Sequence, residues 1–406
     1  MIIKRRRPRS DAWPRSGKRR ILVLGERASV AVTACRALGA AGYEVGVASW
    51  REVEEAGLSR FAKRNYRVPP LHEAVGAWTD AVRRIVHFDG YDVAIATTDA
   101  AVARLPDMHL AIPTCPQISA RHSGLIDKAL LGDLCRQASV AYPRTHRPGT
   151  AADDEAAARD VRSRTVVKAV RSAMVASNHV NLAPGANVVR DPHSALRALT
   201  ALRKRGIDSI IQEYLAGEKF QAVIIRRAGT TSCRLAFQVL REFPPAAGSE
   251  TALAGLSAAG GTGAEIVGML ERLADAAGYE GLLQAEFIKS SGDGRIRVID
   301  VNPRLWGSLK FAELLGFRMT ERAVRDALGL APAQQEPDPA GRRYHHVARE
   351  LRWLLARGRV PRAYFSTFSF RDVWDVPSLT DPRPDLLRFK RMLLGRPHGR
   401  ARPDRS

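Results

Sequence analysis

The sequence predicts a mixed fold of the α/β and α+β classes, and three observations carry that prediction. Near the N-terminus the apolar runs RRILVLG, YEVGVASW and YDVAIATT alternate with a helical pattern, as a small parallel sheet requires. Later, LLQAEFI and RIRVIDVN flank the turn sequence SSGDG, which reads as an antiparallel hairpin. Finally, both ends of the chain are strongly basic and set apart from a more balanced body.

Length and charge bound the reading further. A chain of 406 residues is long for one core, and about one domain per 150 residues gives two or three compact units. With 45% hydrophobic and 26% charged residues the composition is that of a soluble globular protein. No stretch approaches the roughly 18 apolar residues of a membrane span, and ILVLG ends directly in Glu26 and Arg27, which argues against a secretory leader. A cytoplasmic location is expected, with a peripheral membrane contact as an addition. Cys35, Cys115, Cys135 and Cys233 are far apart in sequence, so neither a disulfide framework nor a zinc knuckle is indicated.

The net charge of +22 is unevenly spread. Residues 1–20 hold nine Lys or Arg against one Asp, and residues 386–406 hold seven against one, leaving +8 on the body. Such tails could touch anionic lipid, RNA or an acidic partner. No specific nucleic acid is expected from them.

Taken in order, residues 1–20 form a basic arm. RRILVLG is a buried strand, SVAVTACRALGAAG a helix stopped by glycine, and YEVGVASW and YDVAIATT further strands, which together give a Rossmann-like unit over 21–114. GERASV lacks the glycines of the GxGxxG fingerprint, so no dinucleotide site is expected there. SGLIDKALLGDLCRQAS reads as one helix, AYPRTHRP as extended chain, residues 151–163 as a surface helix and TVVKAV as a strand. SIIQEYLAGEKFQAVIIRRAG reads as two strands about a turn at Gly217, and SCRLAFQVLREF continues the sheet. PPAAGSETALAGLSAAGGTG is expected to be flexible, and AEIVGMLERLADAAGYEG is an amphipathic helix ended by glycine. Residues 326–406 form a basic C-terminal extension, in which VARELRWLLARGR and LLRFKRMLLGR are amphipathic, with Trp353, Leu354, Phe389 and Met392 among their apolar residues. Packing on the body is the commoner fate of such helices, with membrane contact the alternative. His345 and His346 adjoin, which suits a loop better than a shared metal.

The hairpin carries the chemistry. A loop centred near Asp293 sets Glu286 opposite Asp300. Directly opposed like charges about 5 Å apart destabilise a sheet unless something positive lies between them. Asn302, two residues on, presents its amide on the same face, so the hairpin offers three hard oxygen ligands suited to Mg²⁺, which leaves positions open for phosphate oxygens. The plain alternative is a solvated acidic pair on an edge hairpin.

Several motifs now fall in one order: IDKALL with Lys128, VVKAV with Lys168, IIQEYLAGE, QAEF, and VIDVNPR. Over roughly residues 20–320 the chain resembles the ATP-grasp enzymes of the carboxylate–amine ligase type, such as carbamoyl phosphate synthase and biotin carboxylase. The resemblance implies a pre-grasp domain at 21–114 and a two-lobed grasp domain with antiparallel sheets at 115–325. It implies ATP with Mg²⁺ or Mn²⁺ as cofactors. Lys128 and Lys168 would meet the phosphates, and Gln212, Glu213, Tyr214 and Leu215 would form the adenine hinge, with Glu218 on the ribose. Glu286, Asp300 and Asn302 would hold the metal. Arg304 would face the transferred phosphoryl group, and Arg241 the substrate carboxylate.

Two departures stand out. Where the family usually carries a glycine-rich phosphate loop, RSAMVASNHV follows Lys168, and Lys219 stands near a position often held by a ribose-binding acid. The expected activity is ATP-dependent activation of a carboxylate as an acyl phosphate, attacked by an amine, with release of ADP and phosphate. The expected partners are those two small molecules, with a homodimer left open. The alternatives are an inactive ATP-binding protein, or a basic module that binds nucleic acid or a membrane surface.

Overall fold

The computed structural model describes residues 17–25, 28–175, 180–243, 248–331, 336–357, 364, 368 and 371–393. Most of the basic arm, residues 1–16, and the tail 394–406 lie outside the described residues, as does the Met392 side chain.

The N-terminal unit is a five-stranded parallel sheet in the order β3-β2-β1-β4-β5. Its elements are β1 (Arg20–Leu24), α1 (Ala28–Ala40), β2 (Glu44–Ser49), β3 (Ala62–Arg67), α2 (Val75–Asp89), β4 (Val93–Ala96), α3 (Asp99–Met108) and β5 (Thr114–Cys115). β1 and β4 are buried along their whole length, as central parallel strands covered on both faces must be.

The helix expected from SGLIDKALLGDLCRQAS is broken at Asp127, giving α4 (Ser123–Ile126) and α5 (Lys128–Gln137). The Asp127 carboxylate accepts from the amides of Ala129 and Leu130, so it caps α5 and places Lys128 at that helix's first position. A small antiparallel sheet follows, in the order β10-β7-β11-β6. It is built from β6 (Thr145–His146), α6 (Ala151–Arg159), β7 (Thr165–Ala169), β10 (Asn187–Val189), α7 (Pro192–Lys204) and β11 (Ser209–Glu213). Between β7 and β10, β8 (Ala173–Val175) and β9 (Val180–Leu182) form a separate two-stranded hairpin.

The largest layer is a seven-stranded sheet in the order β16-β15-β12-β13-β14-β17-β18. It comprises β12 (Gly217–Arg227), β13 (Thr230–Phe243), β14 (Ser249–Leu256), α8 (Gly261–Ala277), β15 (Gly281–Ser290) and β16 (Ile296–Asn302). After these come α9 (Leu309–Leu314), α10 (Met319–Ala327), β17 (Arg343–His345), α11 (Val347–Arg357) and β18 (Val373–Trp374). Helices α5 and α8 cover one face of this sheet. On the other face one continuous core joins the sheet to α1, α9 and α10, so the N-terminal unit is docked on it through apolar side chains. Phe311 lies in that seam, with its ring centroid 5.2 Å from Tyr344 and 4.9 Å from Phe237.

Several expectations are corrected here. The segment read as flexible contains β14, in which Ala252 and Leu253 are fully buried; its small residues hid the strand pattern. Gly217 opens β12 rather than forming a turn, because a Cβ there would meet the Lys289 carbonyl 1.9 Å away. The C-terminal extension is an integral part of the sheet through β17 and β18, and His345 ends a strand instead of sitting in a loop. Beyond β18 the chain returns to the N-terminal unit. Asp381 there accepts from Arg36 Nε at 2.8 Å, Ser59 Oγ at 2.7 Å and Arg60 N at 2.9 Å. Both amphipathic segments form helices: α11 packs on β13 and β14 with Trp353 buried, while Phe389, on helix Arg383–Leu393, is exposed. Among the described residues no helix is long and apolar enough to cross a membrane.

The join between these parts carries a pH dependence. Burial, reinforced by Arg349, pushes the His346 pKa from its ordinary 6.5 down to about 3. The unfolded chain therefore binds a proton first as pH falls, so this stability is present above about pH 6.5 and lost towards pH 3. Thermal melts across that window should show a steeper decline in the wild type than in His346→Asn.

Candidate functional site

β15 and β16 place the acidic pair. Gln284 pairs with Asn302, Ala285 with Val301 and Glu286 with Asp300, in the register expected from the sequence. Beyond that pair the register shifts, so that Phe287 meets Val298 and Ile299 forms a bulge. At this bulge the Ile299 carbonyl accepts from Lys168 Nζ at 3.0 Å. The irregularity therefore brings β7 of the small sheet and β16 of the large one to one point.

Two lysines answer the two carboxylates. Lys128 Nζ lies 2.9 Å from Asp300 Oδ1, and the Lys128 amide donates to the Val170 carbonyl at 2.9 Å, just beyond the Lys168 strand. Burial alone would lower the Lys128 pKa, but the Asp300 charge and hydrogen bond outweigh it and raise the value. Lys168 has no such direct partner: burial pulls its pKa down to about 8, against the opposing effect of Asp300. Glu286 moves the other way, up to about 7, through burial and then the facing Asp300. A buried cation is costly to hold unless an anion meets it. Lys168 is thus suited to a phosphate, and the acidic pair to a divalent ion.

These groups line one wall of a cleft of about 550 Å³ between the two antiparallel sheets. Val166, Leu215, Ile288 and Ile299 supply apolar surface, and Gln212, Glu213 and Tyr214 run along its edge. The Glu213 amide is taken by the Arg144 carbonyl at 2.9 Å, and Gln212 Nε2 by Thr145 Oγ1 at 2.8 Å. Tyr214 lies under the Arg164 guanidinium, 5.1 Å from ring centroid to Cζ.

Four of the expected residues, Glu218, Arg241, Asn302 and Arg304, are not among those lining the cleft. Glu218 does not line the cleft; strand alternation turns it outward, where Gln238 Nε2 donates to it at 2.8 Å. Its neighbour Lys219 faces in and pairs with Glu242 at 2.7 Å, so Glu242, from the facing strand β13, is the acid at that end of the cleft. Arg241, adjacent to Glu242, points away and meets Glu350 at 2.6 Å, with its guanidinium beside the stacked rings of Trp353 and Tyr364. That contact, with His345, holds Glu350 down at about 2 although burial opposes it. Asn302 is buried beside the acidic pair; its Nδ2 donates to Gln284 Oε1 and its Oδ1 accepts from Arg304. Arg304 is in turn held by Asp99 at 2.5 and 2.9 Å, so α3 of the N-terminal unit reaches this end of the site.

The segment in place of a glycine-rich loop is the β8–β9 hairpin. Ala173 and Val180 are buried against the N-terminal unit's core, and the Val180 amide donates to the His72 carbonyl at 3.3 Å. Residues 176–179 lie outside the described residues. The small residues that line the cleft come instead from Ala183, Gly185 and Ala186, which the sequence reading missed. A glycine and two alanines beyond β9 were the available signal.

No family profile and no curated protein matches the chain. Solved structures do match. The L-amino acid ligase of Bacillus licheniformis aligns with a TM-score of 0.60 at 16% identity, covering 78% of this chain and 75% of that one. The biotin carboxylase domain dimer of Hydrogenobacter thermophilus 2-oxoglutarate carboxylase, in complex with MgADP, aligns at 0.61 and 14% identity, covering 79% and 72%. The chain has the ATP-grasp fold. Carboxyaminoimidazole ribonucleotide synthase from Aspergillus clavatus, complexed with ATP, is a further structure of this fold, at 0.60 and 13% identity with coverage of 80% and 79%. At these identities the likeness is one of fold.

The residues fit a magnesium nucleotide. Among the described residues no three His, Cys, Asp or Glu side chains gather into a metal cage. Two carboxylates and an amide beside two lysines are nevertheless a donor set suited to an ion that shares its shell with phosphate. Lys168→Met should leave the melting temperature nearly unchanged. It should weaken binding of a fluorescent ATP analogue by about tenfold to a hundredfold, the worth of one hydrogen bond to a charged group, as read by titration.

Proposed function

We propose that the protein is an ATP-dependent ligase that activates a carboxylate as an acyl phosphate for attack by an amine. The observation that carries this reading is the convergence of Glu286 and Asp300 with Lys128 and Lys168 on one wall of a nucleotide-sized cleft. Its fold neighbours include an L-amino acid ligase and a biotin carboxylase domain, which supports ligase chemistry.

Bound Mg·ATP supplies the phosphoryl group. Leu215 packs on the adenine, whose edge is met by the backbone after Glu213, and Glu242 replaces Glu218 as the acid near the ribose. Lys128 and Lys168 would meet the phosphates, and Glu286, Asp300 and Asn302 would hold Mg²⁺, which when bound supplies charge stabilisation to phosphoryl transfer. Arg304, its planar fork filled by Asp99, acts through Asn302, whose Oδ1 it holds beside the acidic pair. A carboxylate oxygen attacks the γ-phosphorus as the bond to ADP breaks. An amine nitrogen then attacks the acyl carbon, and phosphate departs with the former carboxylate oxygen.

Arg241 is removed from the substrate role by its pairing with Glu350. The anchored β8–β9 hairpin weakens the argument for an inactive binder, because small residues of 183–186 line the cleft without a glycine-rich loop. ADP release with a panel of carboxylic acids and amines tests the proposal. Glu286→Gln and Asn302→Ala should each lower the rate at least about a hundredfold, the scale of losing one preorganised polar group. Both should keep the wild-type circular dichroism spectrum. Full activity in either variant removes the metal assignment.

A further inference from the structure

A second cavity of about 210 Å³ lies on the other side of Lys128 from the nucleotide cleft. Lys128, Arg171 and Ser172 are common walls of both spaces, and Lys128 is itself only 8% exposed. One side of the second cavity is a single face of α3, presenting Asp99, Val102, Ala103 and Asp107 at helical spacing. Ile126, Ala173, Val301, Asn302 and Pro303 belong to the rest of the lining. Ala173 belongs to the hairpin docked on the N-terminal unit, so the docking that replaces a glycine-rich loop also builds a wall of this space.

Lys128 and Asn302 bring this cavity next to the acidic pair, Val102, Ala103, Ile126, Ala173, Val301 and Pro303 give it apolar surface, and Asp107 is exposed. The volume falls below the roughly 300 Å³ at which pockets for drug-sized ligands begin, so the occupant is smaller than the nucleotide. Asp99 and Arg171 are matched by Arg304 and Asp127, while Lys128, paired with Asp300 here, is the cation shared by this cavity and the nucleotide cleft. We infer that this cavity is the acceptor subsite, and that it takes a small carboxylic acid with a compact apolar body. In it the carboxylate lies at the Lys128 wall and the hydrocarbon runs along α3.

This inference rests on the ligase reading. The acid's carboxylate oxygen takes the γ-phosphoryl group as ADP leaves, and a supplied amine displaces phosphate from the acyl carbon. Only the carboxylate end can meet the reacting phosphorus, which places the remainder of the acid along the apolar channel.

The experiment uses the full chain with Mg·ATP, hydroxylamine as the amine, and acids from acetate through hexanoate together with the apolar amino acids. ADP and hydroxamate are measured. Ala103 is half-buried on the cavity face and contributes nothing to the polar machinery. Ala103→Trp should raise KM for the larger acids at least about tenfold, as loss of space for a methylene or more does, with acetate and the Mg·ATP dissociation constant little changed. As a variant with little added bulk, Ala103→Cys should react like the wild type until its thiol is blocked with a bulky methanethiosulfonate, and recover on reduction. The native cysteines, all four buried, make such labelling selective. An unchanged KM for every acid after blocking overturns the subsite while leaving the ligase reading intact. A raised KM for hydroxylamine alone assigns the cavity to the amine and overturns the proposal. Intact Mg·ATP binding with no ADP from any acid overturns the ligase reading, and this inference with it.

Discussion

Two carboxylates on facing strands, Glu286 and Asp300, are the constraint around which the rest of the structure is arranged. Opposed like charges at sheet spacing cannot be left alone, and the surrounding elements supply the compensation. Asp127 starts α5 so that Lys128 projects to Asp300, and the bulge at Ile299 turns a carbonyl to Lys168. The α3 helix sends Asp99 to hold Arg304 beside Asn302. Lys128 comes from α5 on the large sheet, Lys168 from the small sheet and Asp99 from the N-terminal unit, so the site exists only when the three parts are assembled.

That assembly explains the C-terminal segment. Arginine-rich stretches first suggest a partner outside the molecule. Instead, Arg391 pairs with Glu55, Arg388 Nη2 lies 2.8 Å from His346 Nε2, and Asp381 collects three donors from the N-terminal unit. The segment thus ties the large sheet to the unit that carries Asp99. Part of the positive charge beyond residue 325 is consumed in internal pairs, which leaves less of it for lipid or RNA.

Much of this was legible in the sequence because it follows from short-range rules. The hairpin turn and period-two alternation fixed which residues oppose, and the parallel unit announced itself through continuous apolar runs. Lys128 and Lys168 came from the family resemblance of IDKALL and VVKAV, the second a charge inside an apolar run. What stayed hidden depends on parity and on distant partners. Glu218, Lys219, Arg241 and Glu242 are sequence neighbours in pairs, and the cleft selects one of each pair by strand face. Bulges around Arg241 decide that choice, and the sequence carries no turn residue to reveal them. Likewise β14 is built from Ser, Glu, Thr, Ala, Gly and Leu, a composition shared with loops. The His345 strand is set by pairing with Ala252, more than ninety positions earlier.

Where the resembling family carries a glycine-rich loop, Ala173 and Val180 of β8 and β9 are buried against the neighbouring unit, and Ala183, Gly185 and Ala186, just beyond β9, line the cleft. The central claim remains the capture of a divalent ion between strands. A crystal grown with Mn²⁺ and a non-hydrolysable ATP analogue, examined by anomalous scattering, tests it most directly. The account predicts a manganese peak bridging Glu286 and Asp300 to phosphate oxygens, with Lys168 on the phosphates. A bound nucleotide with no ion at that pair, and Lys128 still closing on Asp300, would contradict it.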